Sequence, residues 1–183
     1  MRKVFLIAGL MTAFALAVLA TSAAAPANFA GTWALDKAKS QGLSQRMQNA
    51  DSVIWTITQD DKQISVESKV TGGQSTAGAG PGAGGGAGRG MGGPQTYNLD
   101  GSEITADVGG GQMTGKSAVK ATWAGSVLEL SRKLTFTTAD GERTNSTTQK
   151  LSLSGDNKVL TVNQHSEGGR GGPQDSTLVF NKQ

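Results

Sequence analysis

The chain has 183 residues, with 17 basic and 14 acidic side chains, one histidine and no cysteine. The cysteine count excludes disulfides and thiolate metal sites, and a single histidine cannot form a usual zinc or copper site. The formal net charge is only +3, and charges of both signs are scattered along the chain. This distribution lacks the basic patch of a typical nucleic-acid-binding protein. We therefore predict no nucleic-acid partner, no metal and no cofactor.

The first element in the chain is a targeting segment. Arg2 and Lys3 precede an apolar run over residues 4–19, and small residues follow at 21–27. This order is typical of a secretory signal peptide, and the apolar run is shorter than the about 20 residues of a membrane-spanning helix. We expect residues 1–25 to be removed, and the mature protein to be periplasmic or extracellular with no stable membrane span. An uncleaved membrane anchor is the alternative.

Short segments rich in Val, Ile, Thr and Trp follow, separated by clusters of turn residues. Their spacing predicts one all-β domain over residues 26–183, an antiparallel up-and-down meander barrel of 8–10 strands. After the first strand, Leu43 and Met47 lie four residues apart behind Ser40, which predicts a short helix within residues 36–50. The candidate strands cover residues 29–35, 52–59, 63–70, 95–99, 103–108, 117–123, 127–136, 142–153, 158–166 and 176–181.

Tight turns are predicted at Asp60, Asp100, Ala124 and Ser154, and each closes a hairpin. Because connections in an antiparallel meander alternate between its two ends, all four turns lie at one end. The longer, glycine-rich connections then lie at the other end. The longest is a predicted flexible loop over residues 71–94. We expect deletion of residues 72–93 to leave the fold intact, because loop length costs only about 0.6 kcal/mol per doubling.

Two similar phrases fall in loops at the long-loop end, GRGMGGPQ at residues 88–95 and GGRGGPQD at residues 168–175. Glycine permits positive φ in these loops, and proline favours an extended backbone where the next strand begins. The same two backbone requirements in both loops explain the similarity of the phrases. RNA binding is a weaker interpretation, because only Arg89 and Arg170 are present and neither phrase contains an aromatic residue for base stacking. A phosphate-binding loop would need a helix after it, and predicted strands follow both phrases instead.

Side-chain alternation along the strands predicts an interior that is apolar at the short-turn end and polar toward the other end. A filled core would have to supply a partner for each inward polar group, whereas a lumen open to water would not. The inward polar positions include Ser68 and Ser166. The candidate ligand-binding residues are Arg132, Arg143, Asn145, Thr147, Gln149, Gln164, Trp55 and Trp123.

Arg132 is the most informative of these residues because it interrupts an apolar row formed by Leu128, Leu130, Leu134 and Phe136. A bulge or an edge position could turn it outward, or it could pair with a buried acid. Alternatively, its guanidinium faces a ligand with a carboxylate or phosphate head group.

Other candidates keep a structural alternative. Trp55 and Trp123 are either core anchors or ligand-stacking residues. Arg143, beside Glu142, is also explained as part of a solvated edge.

The stretch NFAGTWALD at residues 28–36 resembles the first strand of a lipocalin-type barrel, which begins with a Gly-x-Trp motif, here Gly31, Thr32 and Trp33. Together with ATWAGSVLEL and the closing LVFNKQ, it is similar to uncharacterised secreted bacterial lipocalin-like (calycin-type) proteins. The resemblance implies that Trp33 packs at the closed base of the barrel, where the family often has an Arg above it and this chain has Lys182. The placement of a segment between the first two strands at the long-loop end of the barrel also resembles that in fatty-acid-binding proteins, whose barrels have ten strands.

No catalytic arrangement stands out. His165 falls out of phase with the apolar row of its strand and is predicted to face solvent, while Asp60, Asp61 and Asp156 belong to tight turns. We expect a monomeric, non-enzymatic barrel that binds a small apolar or amphiphilic molecule. The alternative is a structural or interaction module of the cell envelope with a filled core and no small ligand. A barrel enzyme that uses rim carboxylates is a third hypothesis.

Overall fold

A computed structural model describes residues 26–72, 93–110, 113–138, 141–168 and 172–183. Within these residues ten strands form one antiparallel sheet, and one short helix follows the first strand, so the predicted meander barrel is confirmed with ten strands rather than eight. The elements are β1 (Gly31–Leu35), α1 (Gln45–Asn49), β2 (Ala50–Gln59), β3 (Gln63–Gly72), β4 (Gln95–Asn98), β5 (Ile104–Gly110), β6 (Met113–Ala124), β7 (Val127–Thr138), β8 (Gly141–Leu153), β9 (Val159–Glu167) and β10 (Gln174–Lys182).

The sheet closes on itself through its first and last strands. Each strand pairs with the strands before and after it in the chain, except for β4 and β5, and β1 pairs with β10 through Trp33 opposite Lys182. Among the described residues no hydrogen-bonded ladder joins β4 to β5. Strand β4 is short, and it lies close to β6 instead. The barrel wall is therefore continuous except beside β4 and β5.

The four predicted tight turns lie at one end of the barrel, which we call the base, and the opposite end is the mouth. The prediction that each turn closes a hairpin is wrong for Asp100, because the described residues of β4 and β5 on either side of it do not pair. Side chains satisfy the backbone of these turns: Asp60 Oδ1 accepts hydrogen bonds from the backbone N–H groups of Lys62 and Gln63, both at 2.7 Å. These bonds hold the pKa of the Asp60 carboxyl below its ordinary value of 3.8. Asp156 similarly accepts a hydrogen bond from the Ser154 hydroxyl at 2.6 Å. The interpretation of these aspartates as turn residues is confirmed.

Aromatic side chains seal the base. Trp33 is fully buried, and its indole N–H donates to the carbonyl oxygen of Phe29 at 2.9 Å. The ammonium of Lys182 lies 5.2 Å from the centroid of the Trp33 ring, a cation–π contact. Phe29 in turn stacks on Trp123 at 6.1 Å between ring centroids. Trp33 thus occupies the place that the resemblance implied, with lysine as the cation.

The hydrophobic core fills the base half of the barrel with inward side chains from nine of the ten strands and from the segment before β1. Their burial is the main stabilising contribution, at about 25 cal/mol per Å² of apolar surface. The buried apolar residues of this core are Phe29, Trp33, Ala50, Val53, Trp55, Ile57, Ile64, Tyr97, Val119, Ala121, Leu128, Leu130, Leu151, Leu160, Val162, Leu178 and Phe180.

The predicted helical segment is present at the mouth, but it begins later than the sequence suggested. Ser44 is its N-cap and accepts a hydrogen bond from the N–H of Met47 at 3.4 Å. The Ser40 hydroxyl instead accepts a hydrogen bond from the N–H of Val179 in β10 at 3.0 Å and donates to the carbonyl oxygen of Asp36, just after β1, at 2.7 Å. Leu43 and Met47 are half-buried and pack against the core. The segment between β1 and β2 therefore lies against the mouth side of the barrel.

Candidate functional site

Arg132 faces the barrel interior. Its strand pairs without a register shift on both sides, and Arg132 lies opposite Val119 on β6 and Thr147 on β8. Because residues directly opposite in an antiparallel ladder share a face, and Val119 is only 3% exposed, the Arg132 side chain lies on the inner face. The alternative of a bulge or an outward-facing edge position is therefore wrong.

Arg132 is also short of partners. Its Nε is buried and finds no hydrogen-bond acceptor within the described residues. The ion pairs found between described side chains do not include it, so the suggested pair with a buried acid is not observed there. A buried donor without an acceptor costs about 1–3 kcal/mol. The Nε–H of Arg132 is thus available to an acceptor from outside the described residues.

Tyr97 on β4 is a member of this interior that the sequence analysis missed. It lies opposite Ile64 and is 4% exposed. Burial raises the pKa of its hydroxyl, and the positive charge of Arg132 opposes that rise. Tyr97 and Arg132 therefore interact electrostatically, although their strands lie far apart in the sheet order. The sequence could have indicated the inward position of Tyr97, because β4 pairs with β3 and Tyr97 then shares the face of inward-facing Ile64.

Trp55 supplies a second unpartnered donor. The side chain is 4% exposed, and its ring packs against Phe180 at 4.7 Å between centroids. The indole Nε1 is buried and finds no acceptor among the described residues. Buried donors in folded proteins are nearly always satisfied by protein, water or ligand. Trp55 is thus a core residue by packing and also an available donor.

Four predicted lumen residues form a polar wall on β8 and β9. The amide of Gln149 donates to the Gln164 side-chain oxygen at 2.8 Å, and Gln164 donates to the Ser166 hydroxyl at 3.4 Å. The hydroxyls of Thr147 and Ser166 are 3.5 Å apart. All four side chains are half-buried. Their inward phase agrees with the prediction, and their mutual bonds hold them in place beside Arg132.

The remaining predicted site residues lie elsewhere. In the amide orientation that satisfies both its oxygen and its nitrogen, the Asn145 side chain donates to the carbonyl oxygen of Gly168 at 2.6 Å. This hydrogen bond links β8 to the end of β9. Arg143 is exposed at the mouth. Trp123 stacks on Phe29 at the base. The structure therefore brings Arg132, Thr147, Gln149 and Gln164 together on three adjacent strands, and separates Arg143 and Trp123 from them.

A groove of about 480 Å³ lies on the outside of the barrel, between Gln41 and the outer faces of β8, β9 and β10. It is lined in part by His165, which is directed outward as predicted and lies 2.7 Å from Asp175 and 3.1 Å from Glu167. Asp175, and then Glu167, raise the pKa of the imidazole. This groove is shallow, and Gln164 of the interior polar wall also contributes to its lining.

Several predictions concern residues outside the described ranges, namely the signal segment 1–25, most of the loop 71–94, and Arg89 and Arg170. Within the described ranges no three metal-ligating side chains converge on one point. In the same ranges, no helix has the length and apolar character needed to cross a membrane.

Comparison with known proteins adds no assignment, since no protein-family model and no curated protein matches the chain. The lipocalin-like resemblance therefore stays a prediction.

Proposed function

We propose that this protein is a non-enzymatic barrel that binds a small amphiphile with an acidic head group in its interior. The observation that carries the proposal is the Arg132 guanidinium, which faces inward with a buried Nε that lacks an acceptor in the described chain. A cation in a partly dry interior is costly unless it is paired or wetted. An acidic head group would satisfy both its charge and its hydrogen bonds.

The surroundings of Arg132 support an amphiphile rather than a wholly polar ligand. Apolar residues lie on both sides of it along β7, with buried Leu130 toward the base and half-buried Leu134 toward the mouth. The wall formed by Gln149 and Gln164 offers amide groups on the neighbouring strands. A molecule with one acidic end and an apolar body fits this combination. We propose a periplasmic or extracellular location with it, from the signal-like residues 1–25.

A structural or interaction module without a small ligand is the second candidate. The continuous buried core that fills the base half of the barrel favours it. In that case water alone would satisfy Arg132, and removal of its charge would change no binding property. The two candidates therefore differ in a measurable way.

The test replaces Arg132 with methionine, which keeps an unbranched apolar stem and removes the guanidinium with its charge. Titration with a dansyl-labelled undecanoic acid and with the corresponding alcohol would report affinity by fluorescence. We expect Arg132→Met to weaken binding of the acid about tenfold or more, because a charged hydrogen bond contributes about 1.5–3 kcal/mol. Binding of the alcohol should change little, and the melting temperature should stay or rise because a buried unpartnered donor is removed.

Lys133 provides the matched control, because it is the next residue of β7, is exposed, and points to the outer face. Lys133→Met removes the same charge from the same strand and should leave both affinities unchanged. If the wild-type protein binds neither probe, or if Arg132→Met and Lys133→Met bind the acid equally well, the proposed function is wrong. Unfolding of Arg132→Met would assign Arg132 a structural role instead.

A further inference from the structure

Within the described residues, the barrel wall is incomplete in the half nearer the mouth. Strand β4 pairs with β3 only from Gln63 to Val66, whereas β3 continues to Gly72. Strand β5 pairs with β6 on one side only. In the described chain, the β3 edge beyond Val66 and the facing edge of β5 therefore have no ladder partner. We call the space between these two edges the side opening.

Two inward-facing residues show that solvent reaches the interior through the side opening. Ser68 is exposed although its ladder partner Trp55 is 4% exposed, and Ala106 is exposed although its ladder partner Ser117 is 7% exposed. Solvent that entered from the mouth would reach both members of each pair, because they lie at the same height. The exposure of Ser68 and Ala106 therefore comes from the side.

The margins of the side opening are uncharged on their inner face, and apart from the Ser68 hydroxyl they are apolar. Val66 and Val70 on β3 and Val108 on β5 are inward-facing and half-buried, and Ala106 precedes Val108 in the inner row of β5. None of the inward residues on these margins carries a charge. A hydrocarbon chain can pass such margins without desolvating a charged group, whereas a charged head group gains nothing by stopping there.

The register also brings Arg132 close to the side opening. Ile104, Val119 and Arg132 lie opposite one another across β5, β6 and β7. Neighbouring strands are about 4.8 Å apart, so Arg132 lies roughly 10 Å from the β5 margin along the sheet. Ala106 occupies the next inward row toward the mouth. The cation is thus within reach of the head group of a chain that enters between β3 and β5.

From these observations we propose that an acidic amphiphile with a single aliphatic chain enters and leaves through the side opening rather than over the mouth. Its acid group would lie toward Arg132, and its chain would lie between the valines of β3 and Val108 of β5. This inference rests on the proposed function, and it adds the route and the shape of the ligand. Leu43 and Met47, which pack against the core from the mouth side, favour the lateral route over the mouth.

The test narrows the side opening and measures rates rather than affinity alone. Ala106→Trp places a large ring on the inner margin, and Thr105→Trp is the matched control because Thr105 is exposed on the outer face of the same strand. Stopped-flow fluorescence with dansyl-labelled undecanoic acid would follow association and release. We expect Ala106→Trp to slow both rates about tenfold or more, as a gated step does, and Thr105→Trp to slow neither.

A second pair on the other margin guards against misfolding of the first variant. Ser68→Phe narrows the opening from β3, and Lys69→Phe is its outward-facing control. If folded Ala106→Trp and Ser68→Phe exchange the probe as fast as their controls, the lateral route is wrong while the proposed function stands. If the wild-type protein does not bind the acid, both the route and the proposed function are wrong.

Discussion

At the scale of single residues, Gly31 illustrates how one side chain constrains another. Its φ of +144° lies in a region that residues with a Cβ rarely adopt, and a Cβ placed there would lie 3.0 Å from Cε of Lys182 and 3.7 Å from Nε1 of Trp33. The lysine occupies that space because it covers the Trp33 ring. The glycine of the Gly-x-Trp motif is therefore required by the cation–π contact at the base.

This arrangement predicts a double-mutant cycle. Gly31→Ala should lower the free energy of unfolding by about 1–3 kcal/mol through backbone strain and the contact with Lys182. Lys182→Ala alone should cost about 0.5–1 kcal/mol through the lost cation–π contact. The double variant should be less destabilised than the sum, because the steric part vanishes with the lysine. Urea denaturation of all four proteins measures this, and strict additivity would contradict the steric explanation.

At the scale of secondary-structure elements, His165 links two strands near the mouth. It lies on β9 opposite Asp175 of β10, and Glu167 lies two residues further along β9. Both carboxylates favour the charged imidazole and raise its pKa above the ordinary value of 6.5. Since the pKa is raised in the folded protein, the favourable contribution is complete below about pH 6.5. It is lost as the pH rises through the folded-state pKa.

His165 is the only histidine, so NMR titration of its ring proton reports this pKa directly. We expect a value above 6.5 in the wild-type protein, a clear decrease in Asp175→Asn, and a smaller decrease in Glu167→Gln. The melting temperature of the wild-type protein should fall more between pH 6 and pH 8.5 than that of His165→Gln. An unshifted pKa, or equal pH dependence in both proteins, would show that the β9–β10 link is not formed in solution.

At the scale of the whole molecule, the β3–β4 register determines how far the glycine-rich connection must reach. Gln95 lies opposite Val66, and Thr71 is five residues further along β3, which corresponds to roughly 17 Å at about 3.3 Å per residue. The described residues on either side of the connection are therefore well separated along the β3 edge. Direct fusion of Thr71 to Pro94, the deletion of residues 72–93 considered from the sequence, would have to pull the last residues of β3 out of the sheet.

A second variant replaces residues 73–92 with a Gly/Ser linker of about eight residues, which can span up to roughly 26 Å. This variant should unfold cooperatively with nearly wild-type stability, because shortening a flexible loop changes the closure cost by less than about 1 kcal/mol. The direct fusion should be less stable. Thermal unfolding followed by circular dichroism compares the two, and loss of cooperativity in the linker variant would mean that residues 73–92 pack on the barrel.

The sequence by itself determined the strands, their inward faces and the end at which the tight turns lie. These features depend on local chemistry: alternation with a period of two sets the faces, and residues such as Asp60 and Asp100 set the turns through bonds to their own backbone. The same alternation correctly turned Arg132 inward. Ser40 shows the limit, because its hydroxyl bonds to the distant β10 rather than to the helix that follows it.

Tertiary structure alone decided which strands meet and which edges stay unpaired. Three contacts join residues far apart in the chain: the pairing of β1 with β10, the contact between Lys182 and Trp33, and the interaction of Tyr97 with Arg132. The unpaired edge of β5 also depends on the order of the strands in the whole sheet. Likewise, the missing acceptor for Arg132 could be recognised only once its neighbours on other strands were known. Such relations depend on the closure and register of the whole sheet, to which no local pattern of side chains gives access.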